Sequence, residues 1–263
     1  MNRITAFWKK EKMALVPFIT AGFPKRDFTP EIVWGLADSG ADMVELGIPF
    51  SDPLADGPII QASSQLALQE GVRLTDIFRM AEKIRAKTEI PLLLMGYYNP
   101  VFAYGLEEFA QDASRSGVDG LVVPDLPPEE GEVLSKICRK HNLSLVYLIA
   151  PTTPASRITK IADSSSDFSY CVSVTGVTGE RKNLSTELKD FLLSVRMKTK
   201  KPFVVGFGIS TPQQARQLAP FSDGVVVGSA VIKLFLKGKN EKTALREACS
   251  LVSQMAGSLN GTG

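Results

Sequence analysis

The sequence is poor in the residues that most often hold metals or disulfide bridges. It contains a single histidine, His141, and three cysteines, Cys138, Cys171 and Cys249, among 263 residues. The cysteines are odd in number and far apart, and no pair has CxxC spacing. These shortages argue against a disulfide framework, a zinc ribbon and a histidine-rich metal centre. They predict a protein of a reducing, cytoplasmic compartment.

Long apolar runs and an excess of one charge are also missing. No stretch reaches the roughly 18 uninterrupted apolar residues of a membrane span, and residues 1–13 lack the apolar centre of a signal peptide. The 30 basic and 28 acidic residues leave a net charge of +2, which gives no reason to expect nucleic acid or a membrane surface as a partner. With 44% apolar and 22% charged residues, the composition is that of a globular protein.

Apolar runs alternate with amphipathic segments along the whole chain. Eight short runs occur at 14–22, 42–49, 90–98, 119–125, 143–151, 168–174, 201–208 and 223–230. They read as continuous hydrophobic runs, as strands covered on both faces do, and the segments between them have helical spacing. Eight such repeats predict an α/β fold, a (βα)8 TIM barrel formed by residues 1–263 as a single domain. Residues 2–10 are expected to form an extra N-terminal helix that closes the barrel floor.

An aspartate stands near the start of every second run. These residues are Asp42, Asp119, Asp167 and Asp223. An aspartate at that place suits a tight turn from helix to strand at the bottom of a barrel, so we interpret all four as structural.

One carboxylate is out of place in the second run. Glu45 lies inside DMVELGIP, a run that should be buried, where an unpaired charge is costly. A buried ion pair in the barrel floor would explain it, but no other run carries Lys or Arg in its interior. We therefore favour a general acid/base whose pKa burial has raised.

The loop PFSDPLADGP (49–58), which follows this run, holds two more carboxylates. Asp52 fits turn chemistry among the prolines and the glycine. Asp56 before Gly57 fits a turn equally well, but its closeness to Glu45 in sequence also suggests a site with two carboxylates. The spacing alone leaves these two interpretations of Asp56 at even odds.

Glycine-rich segments follow the last three runs. They are TGVTGE (175–180), GFGIS (206–210) and VGSAV (227–231). Glycines let backbone N–H groups approach an anion, and a helix that begins after Gly228 and Ser229 adds its dipole. Because barrels often bind phosphate after their seventh and eighth strands, we predict a phosphate site here.

Several kinds of catalytic machinery are absent from the sequence. His141 falls in a connection from helix to strand at the barrel floor, and no lysine lies in the interior of a run. No nucleophile elbow, P-loop or dinucleotide fingerprint is present. The pattern indicates a carboxylate-driven reaction on a phosphorylated substrate, without a metal or a covalent intermediate.

Seven longer motifs connect the chain with a known family. They are VPFITAGFP (16–24), ELGIPFSDPLADGPIIQ (45–61), LLLMGYYNPVFAYG (92–105), GLVVPDLPPEE (120–130), YCVSVTGVTG (170–179), VVGFGIS (204–210) and GVVVGSAVI (224–232). Together they resemble the tryptophan synthase alpha chain, and ELGIPFSDPLADGP is highly specific to that family. The resemblance implies a lyase that cleaves indole-3-glycerol phosphate to indole and glyceraldehyde 3-phosphate in the last steps of tryptophan biosynthesis.

The resemblance also assigns site residues. It implies that Glu45 and Asp56 are catalytic. The other positions carried over are the phosphate contacts Gly179, Gly208, Gly228 and Ser229, the indole-pocket residues Phe18, Tyr97, Tyr170 and Phe207, and the lid residue Thr178. One position departs from the family, since some members carry a basic residue where this chain has Val174.

The implied mechanism and partner follow from the same resemblance. Asp56 would stabilise positive charge on the indole ring and accept the N1 proton, while Glu45 would take the glycerol hydroxyl proton and shuttle protons to and from carbon. This chain would need no cofactor of its own. Its partner would be the pyridoxal-phosphate-dependent beta chain of an alpha2-beta2 heterotetramer, docked near Pro53 and Asn99. Two alternatives stay open: a catalytically weak subunit that mainly activates a beta chain, and a flavin- or phosphate-binding barrel enzyme.

Overall fold

The computed structural model describes residues 2–10, 12–172, 184–206, 208–238 and 240–259. This part of the chain contains nine strands in one sheet, and every paired neighbour runs parallel. They are β1 Ala14–Thr20, β2 Val44–Gly47, β3 Leu92–Met95, β4 Gly120–Val122, β5 Ser144–Val146, β6 Leu148–Ile149, β7 Ser169–Val172, β8 Phe203–Gly206 and β9 Gly224–Val227.

Helices alternate with these strands, as the periodicity of the sequence predicts. The twelve in the described residues are α1 Arg3–Trp8, α2 Thr29–Asp38, α3 Pro58–Gln69, α4 Leu74–Arg85, α5 Tyr98–Tyr104, α6 Leu106–Arg115, α7 Glu132–Lys140, α8 Ala155–Ser164, α9 Thr186–Lys198, α10 Pro212–Leu218, α11 Ser229–Leu236 and α12 Glu241–Leu259. None of these helices combines the length and the apolar composition that a membrane crossing requires.

The sheet closes into a barrel where the sequence predicted its fifth strand. The strand order β5-β4-β3-β2-β1-β9-β8-β7-β6 leaves β5 and β6 at its two ends, and these two are consecutive in the chain. One strand was expected over 143–151, whereas the structure has two, separated by Tyr147. The chain changes its ladder partner there, because β5 pairs with β4 and β6 pairs with β7. The predicted TIM barrel is confirmed, with this break at its seam.

The N-terminal helix closes the floor of the barrel, as expected. Ile4 and Phe7 of α1 are buried. Asn2 caps the helix by accepting the N–H of Thr5, and its amide donates to the Asp119 carbonyl oxygen at 2.9 Å and to the Ser144 hydroxyl at 2.8 Å. The cap therefore anchors α1 to the start of two barrel strands.

The four repeated aspartates also lie at the floor, where they bind strand starts. Three accept a backbone N–H at 2.9 Å from the strand before their own: Asp42 from Leu15, Asp119 from Leu92 and Asp223 from Phe203. Asp167 accepts the hydroxyls of Thr5 and Ser144 instead. Asp42, Asp119 and Asp223 each join two neighbouring strands, and Asp167 joins the start of β7 to α1 and β5.

Candidate active site

Glu45 lies in the middle of the barrel wall on β2, opposite Phe18 of β1 and Leu93 of β3. The residue is 1% exposed, and neither carboxylate oxygen has a hydrogen-bond partner among the described residues. No cation of the described chain lies within ion-pair distance, so the alternative of a buried ion pair is not observed. Burial, and then the negative charge of Asp56, raise the pKa of Glu45 to about 8.

Asp56 lies in the loop between β2 and α3, directly before the helix N-cap Gly57. The Tyr97 hydroxyl donates to Asp56 Oδ2 at 3.2 Å and accepts the Ala55 N–H at 2.8 Å. Burial raises the pKa of Asp56 to about 6, and the hydrogen bond from Tyr97 opposes that rise. The Tyr97 hydroxyl thus holds both the carboxylate and the loop backbone.

The two carboxylates face one cavity. This cavity is lined by Phe18, Glu45, Asp56, Ile60, Met95, Tyr170, Gly208, Val226, Gly228 and Ser229. The pKa values of the pair lie on opposite sides of neutrality, so near pH 7 Glu45 holds its proton and Asp56 is ionised.

The predicted phosphate residues that the structure describes are at the same cavity. Gly228 is the N-cap of α11, and Ser229 is its first residue, so the positive end of the helix dipole faces the cavity. Gly208 has a φ of 86°, a conformation that favours glycine. A Cβ built on Gly228 would meet only Phe18, at 3.4 Å, so the surrounding protein does not require glycine there. A ligand that approaches the backbone closely would require a glycine at this position.

The predicted aromatic residues divide into three groups. Phe18 and Tyr170 line the cavity. Tyr97 stands behind Asp56, with its ring 5.2 Å from that of Phe50. Phe207 lies outside the described residues, and so do Thr178, Gly179 and Val174.

Sequence reasoning missed three apolar wall residues of the cavity, Ile60, Met95 and Val226. An apolar residue in an apolar run gives no signal by itself. The strand register would have identified two of them: Glu45 pairs with Leu93, and Met95, two residues further, points to the same side. Val226 likewise pairs with Val16, two residues before Phe18.

The described residues offer no arrangement suited to a metal. No group of three His, Cys, Asp or Glu side chains among them is close enough to hold an ion. The polar groups of the cavity are two carboxylates, the phenol of Tyr170 and the backbone and hydroxyl of a helix start.

The chain matches known proteins over nearly its whole length. A family model described as tryptophan synthase alpha chain matches residues 4–260. A tryptophan synthase alpha chain of Thermoanaerobacter sp. (strain X514) is 45% identical over 259 residues, 97% of this chain and 98% of that protein. The one from Geobacter sulfurreducens is 50% identical over 239 residues, 89% of this chain and 90% of its own.

Solved structures agree with the sequence matches. The crystal structure of tryptophan synthase subunit alpha from Legionella pneumophila str. Paris superposes with a TM-score of 0.91 at 39% identity, covering 99% of both chains. A chain of tryptophan synthase from M. tuberculosis, in its aminoacrylate-bound form, has a TM-score of 0.87 at 28% identity and covers 98% of this chain and 100% of that one.

Proposed function

Because the chain belongs to the tryptophan synthase alpha chain family, the lyases that cleave indole-3-glycerol phosphate, we propose that Glu45 and Asp56 are the acid/base pair of that cleavage. One observation carries the assignment. The two carboxylates face a single cavity, and their surroundings hold one protonated and the other ionised near neutral pH. Such a pair supplies a general acid and a fixed negative charge at the same time.

Glu45 acts first as an acid and then as a base. Its proton goes to C3 of the indole ring, which makes the ring an electron sink. The resulting carboxylate removes the proton of the hydroxyl on the adjacent glycerol carbon. The carbon–carbon bond then breaks, its electron pair returns to the ring, and an aldehyde forms. Glu45 ends protonated, so the cycle needs no outside proton donor.

Asp56 stabilises the intermediate. Protonation at C3 places positive charge on the ring nitrogen, and an ionised carboxylate beside the N1–H lowers the energy of that species. Asp56 also accepts the N1 proton as a hydrogen bond or by transfer. Its pKa of about 6 keeps it charged under the conditions in which Glu45 is neutral.

The rest of the cavity orients the substrate between these groups. The start of α11 with Gly228 and Ser229, together with Gly208, binds the phosphate through backbone groups and the helix dipole. The apolar wall, which includes Phe18 and Met95, takes the indole ring. With phosphate and ring fixed at two ends, the scissile bond falls beside the carboxylates.

Indole release from indole-3-glycerol phosphate by the isolated chain tests this proposal. Glu45→Gln is expected to lower the rate about 10²- to 10⁴-fold. Asp56→Asn is expected to lose most of the rate while still binding glyceraldehyde 3-phosphate. Asp52→Asn, an exposed carboxylate of the same loop, is the matched control and keeps the wild-type rate. A Glu45→Gln variant with more than about a tenth of the rate would reject the assignment.

We further propose that a pyridoxal-phosphate-dependent beta chain docks on the barrel mouth, in an alpha2-beta2 assembly. Two large apolar side chains support this: Leu54, in the Asp56 loop, is 95% exposed, and Phe102 on α5 is 61% exposed. Exposed apolar groups at one end of a barrel fit an interface near Pro53 and Asn99. Docking there would hold the Asp56 loop in its productive position and raise the rate without adding a catalytic group.

Calorimetric titration of a beta chain into this chain, with and without indole-propanol phosphate, tests the docking proposal. By linkage, the analogue tightens beta-chain binding by the factor that the beta chain adds to analogue binding. Equal affinities in both titrations would reject the coupling.

A further inference from the structure

The end of β1 is tied to α3 by a hydrogen bond that the mechanism above does not use. The hydroxyl oxygens of Thr20 and Ser63 lie 2.6 Å apart, in residues that are 1% and 0% exposed. Ser63 Oγ also donates to the carbonyl oxygen of Ile60 at 2.8 Å. Because Ser63 has one hydroxyl proton and uses it on that carbonyl, Thr20 is the donor in the pair. Two consecutive hydrogen bonds therefore lead from β1 to the first turn of α3.

This bond matters because the buried face of α3 is made of small side chains. The buried residues of the helix are Ser63, Ser64 and Ala67, and the helix packs against β1 and α11. Small side chains give a shallow contact surface, whereas a hydrogen bond has a defined length and direction. The bond between Thr20 and Ser63 thus specifies where α3 sits along the barrel.

The start of α3 in turn contributes, beside the Tyr97 hydroxyl, to the position of Asp56. The Gln61 side-chain amide donates to the Asp56 carbonyl oxygen at 2.8 Å, and the Gln61 backbone N–H donates to the Gly57 carbonyl oxygen at 3.0 Å. The Ile60 side chain lines the same cavity as the Asp56 carboxylate. A shift of the first helical turn would therefore move the carboxylate.

The other end of the bond lies on the strand that faces Glu45. Thr20 follows Phe18 by two residues in β1, and Phe18 pairs in register with Glu45 of β2. The carboxylates of Glu45 and Asp56 are therefore both positioned by contacts with the last residues of β1.

We propose that Thr20 and Ser63 are positioning residues that hold the Asp56 carboxylate at its working distance from Glu45. This role rests on the function proposed for Asp56. Their hydrogen bond touches neither substrate nor reacting atoms, and it acts by fixing the first turn of α3. Displacement by about 1 Å in a catalytic group can cost on the order of 10²-fold in rate, so a missing anchor has a measurable effect on kcat.

The test is steady-state indole release by Ser63→Ala, measured well below the melting temperature of each variant. We expect kcat to fall about tenfold and KM to change less than about threefold, since the phosphate site at α11 is intact. Thr20→Val should show the same loss, Thr20→Ser should restore the rate, and the double variant Thr20→Val/Ser63→Ala should be no worse than either single one.

The matched control is Ser64→Ala, which removes a hydroxyl from the adjacent buried position of the same helix. Its kcat should equal that of the wild type. Equal kcat values for Ser63→Ala and Ser64→Ala, or a loss confined to KM, would overturn the proposal. Asp56→Asn separates this failure from that of the proposed function: if Asp56→Asn is inactive and Ser63→Ala is fully active, only the positioning role falls. An active Asp56→Asn would reject the function proposed for Asp56 itself.

Discussion

The floor and the mouth of this barrel use buried carboxylates in opposite ways. At the floor, Asp119 receives Arg3 at 3.0 Å, Arg85 at 2.7 Å and a backbone N–H at 2.9 Å. Towards the mouth, Glu45 has no hydrogen-bond partner among the described residues. The two residues are equally buried, at 2% and 1% exposure. Burial therefore does not separate a structural carboxylate from the one that we propose to be catalytic, but the presence of partners does.

The difference decides what neutralises each group. The carboxylate of Asp119 is neutralised by arginines, which cannot leave without breaking the floor. Glu45 is neutralised by a proton, because burial raises its pKa to about 8. A proton can be given to a substrate and taken back, whereas an ion pair in the floor cannot. Variants that remove each carboxylate should therefore separate stability from activity.

The largest expected effect on stability belongs to Asp119→Ala. It leaves Arg85 without its carboxylate and the Leu92 N–H without its acceptor, so the free energy of unfolding should fall by about 3–5 kcal/mol. Urea denaturation measures the loss. The exposed pair of Lys136 and Glu132 provides a control, since Glu132→Ala should leave the free energy of unfolding nearly unchanged. The folded fraction of Asp119→Ala should keep its kcat, and a kcat loss as large as that of Glu45→Gln would remove the contrast between floor and mouth.

Glu45→Gln should have the opposite effect on stability, and only at higher pH. The unfolded chain releases the Glu45 proton near the ordinary pKa of 4.5, whereas the folded protein keeps it up to about 8. The folded state thus binds more protons in this window, so the wild-type free energy of unfolding falls as pH rises through it. Between about pH 4.5 and 7 the variant should gain on the order of 3 kcal/mol relative to the wild type. Denaturation curves with the same pH slope for both proteins would contradict the raised pKa.

Much of this contrast could be predicted from the sequence, because it depends on residues that break a pattern. Glu45 is a lone carboxylate in an apolar run, and the floor aspartates recur at a fixed place in the repeat. The bond between Tyr97 and Asp56 could not be predicted, since it joins two loops that are 41 residues apart. The break at Tyr147 was missed because a run that changes its pairing partner is as apolar as one that does not.

Two glycines, one at the floor and one at the mouth, allow the same comparison with smaller expected effects. At the floor, a Cβ on Gly120 would come within 2.8 Å of the Ser144 carbonyl oxygen and 2.9 Å of Ile4. Gly120→Ala should therefore cost about 1–3 kcal/mol of unfolding free energy. At the mouth, Gly228→Ala meets only ordinary contacts with Phe18 and should leave stability nearly unchanged.

Ligand binding should show the opposite pattern, with the larger effect in Gly228→Ala and the smaller one in Gly120→Ala. Gly228→Ala should weaken binding of glyceraldehyde 3-phosphate several-fold, because the methyl group occupies the approach to the helix start. Binding of free indole should change little in the same variant. Calorimetry on both variants checks this, and equal losses for the two ligands in Gly228→Ala would point to a general distortion of the site instead of a phosphate contact.

The smallest expected effect concerns the hydrogen bond that the Asp56 carboxylate receives from the Tyr97 hydroxyl. Tyr97→Phe removes the donor to Asp56 Oδ2 and keeps the ring against Phe50. In the mechanism that we propose, activity requires ionised Asp56 and protonated Glu45, so kcat/KM should rise through a pKa of about 6 and fall through one of about 8. The bond from Tyr97 lowers the pKa of Asp56, so its loss should move the acid limb to higher pH by about half a unit to one unit. Tyr104→Phe removes a similar bond, 2.6 Å from the Tyr104 hydroxyl to Asp112 and outside the cavity, and should leave the profile in place. An unmoved acid limb in Tyr97→Phe would mean that the limb belongs to a group other than Asp56, and the assignment of charged and neutral carboxylates at the mouth would have to be reversed.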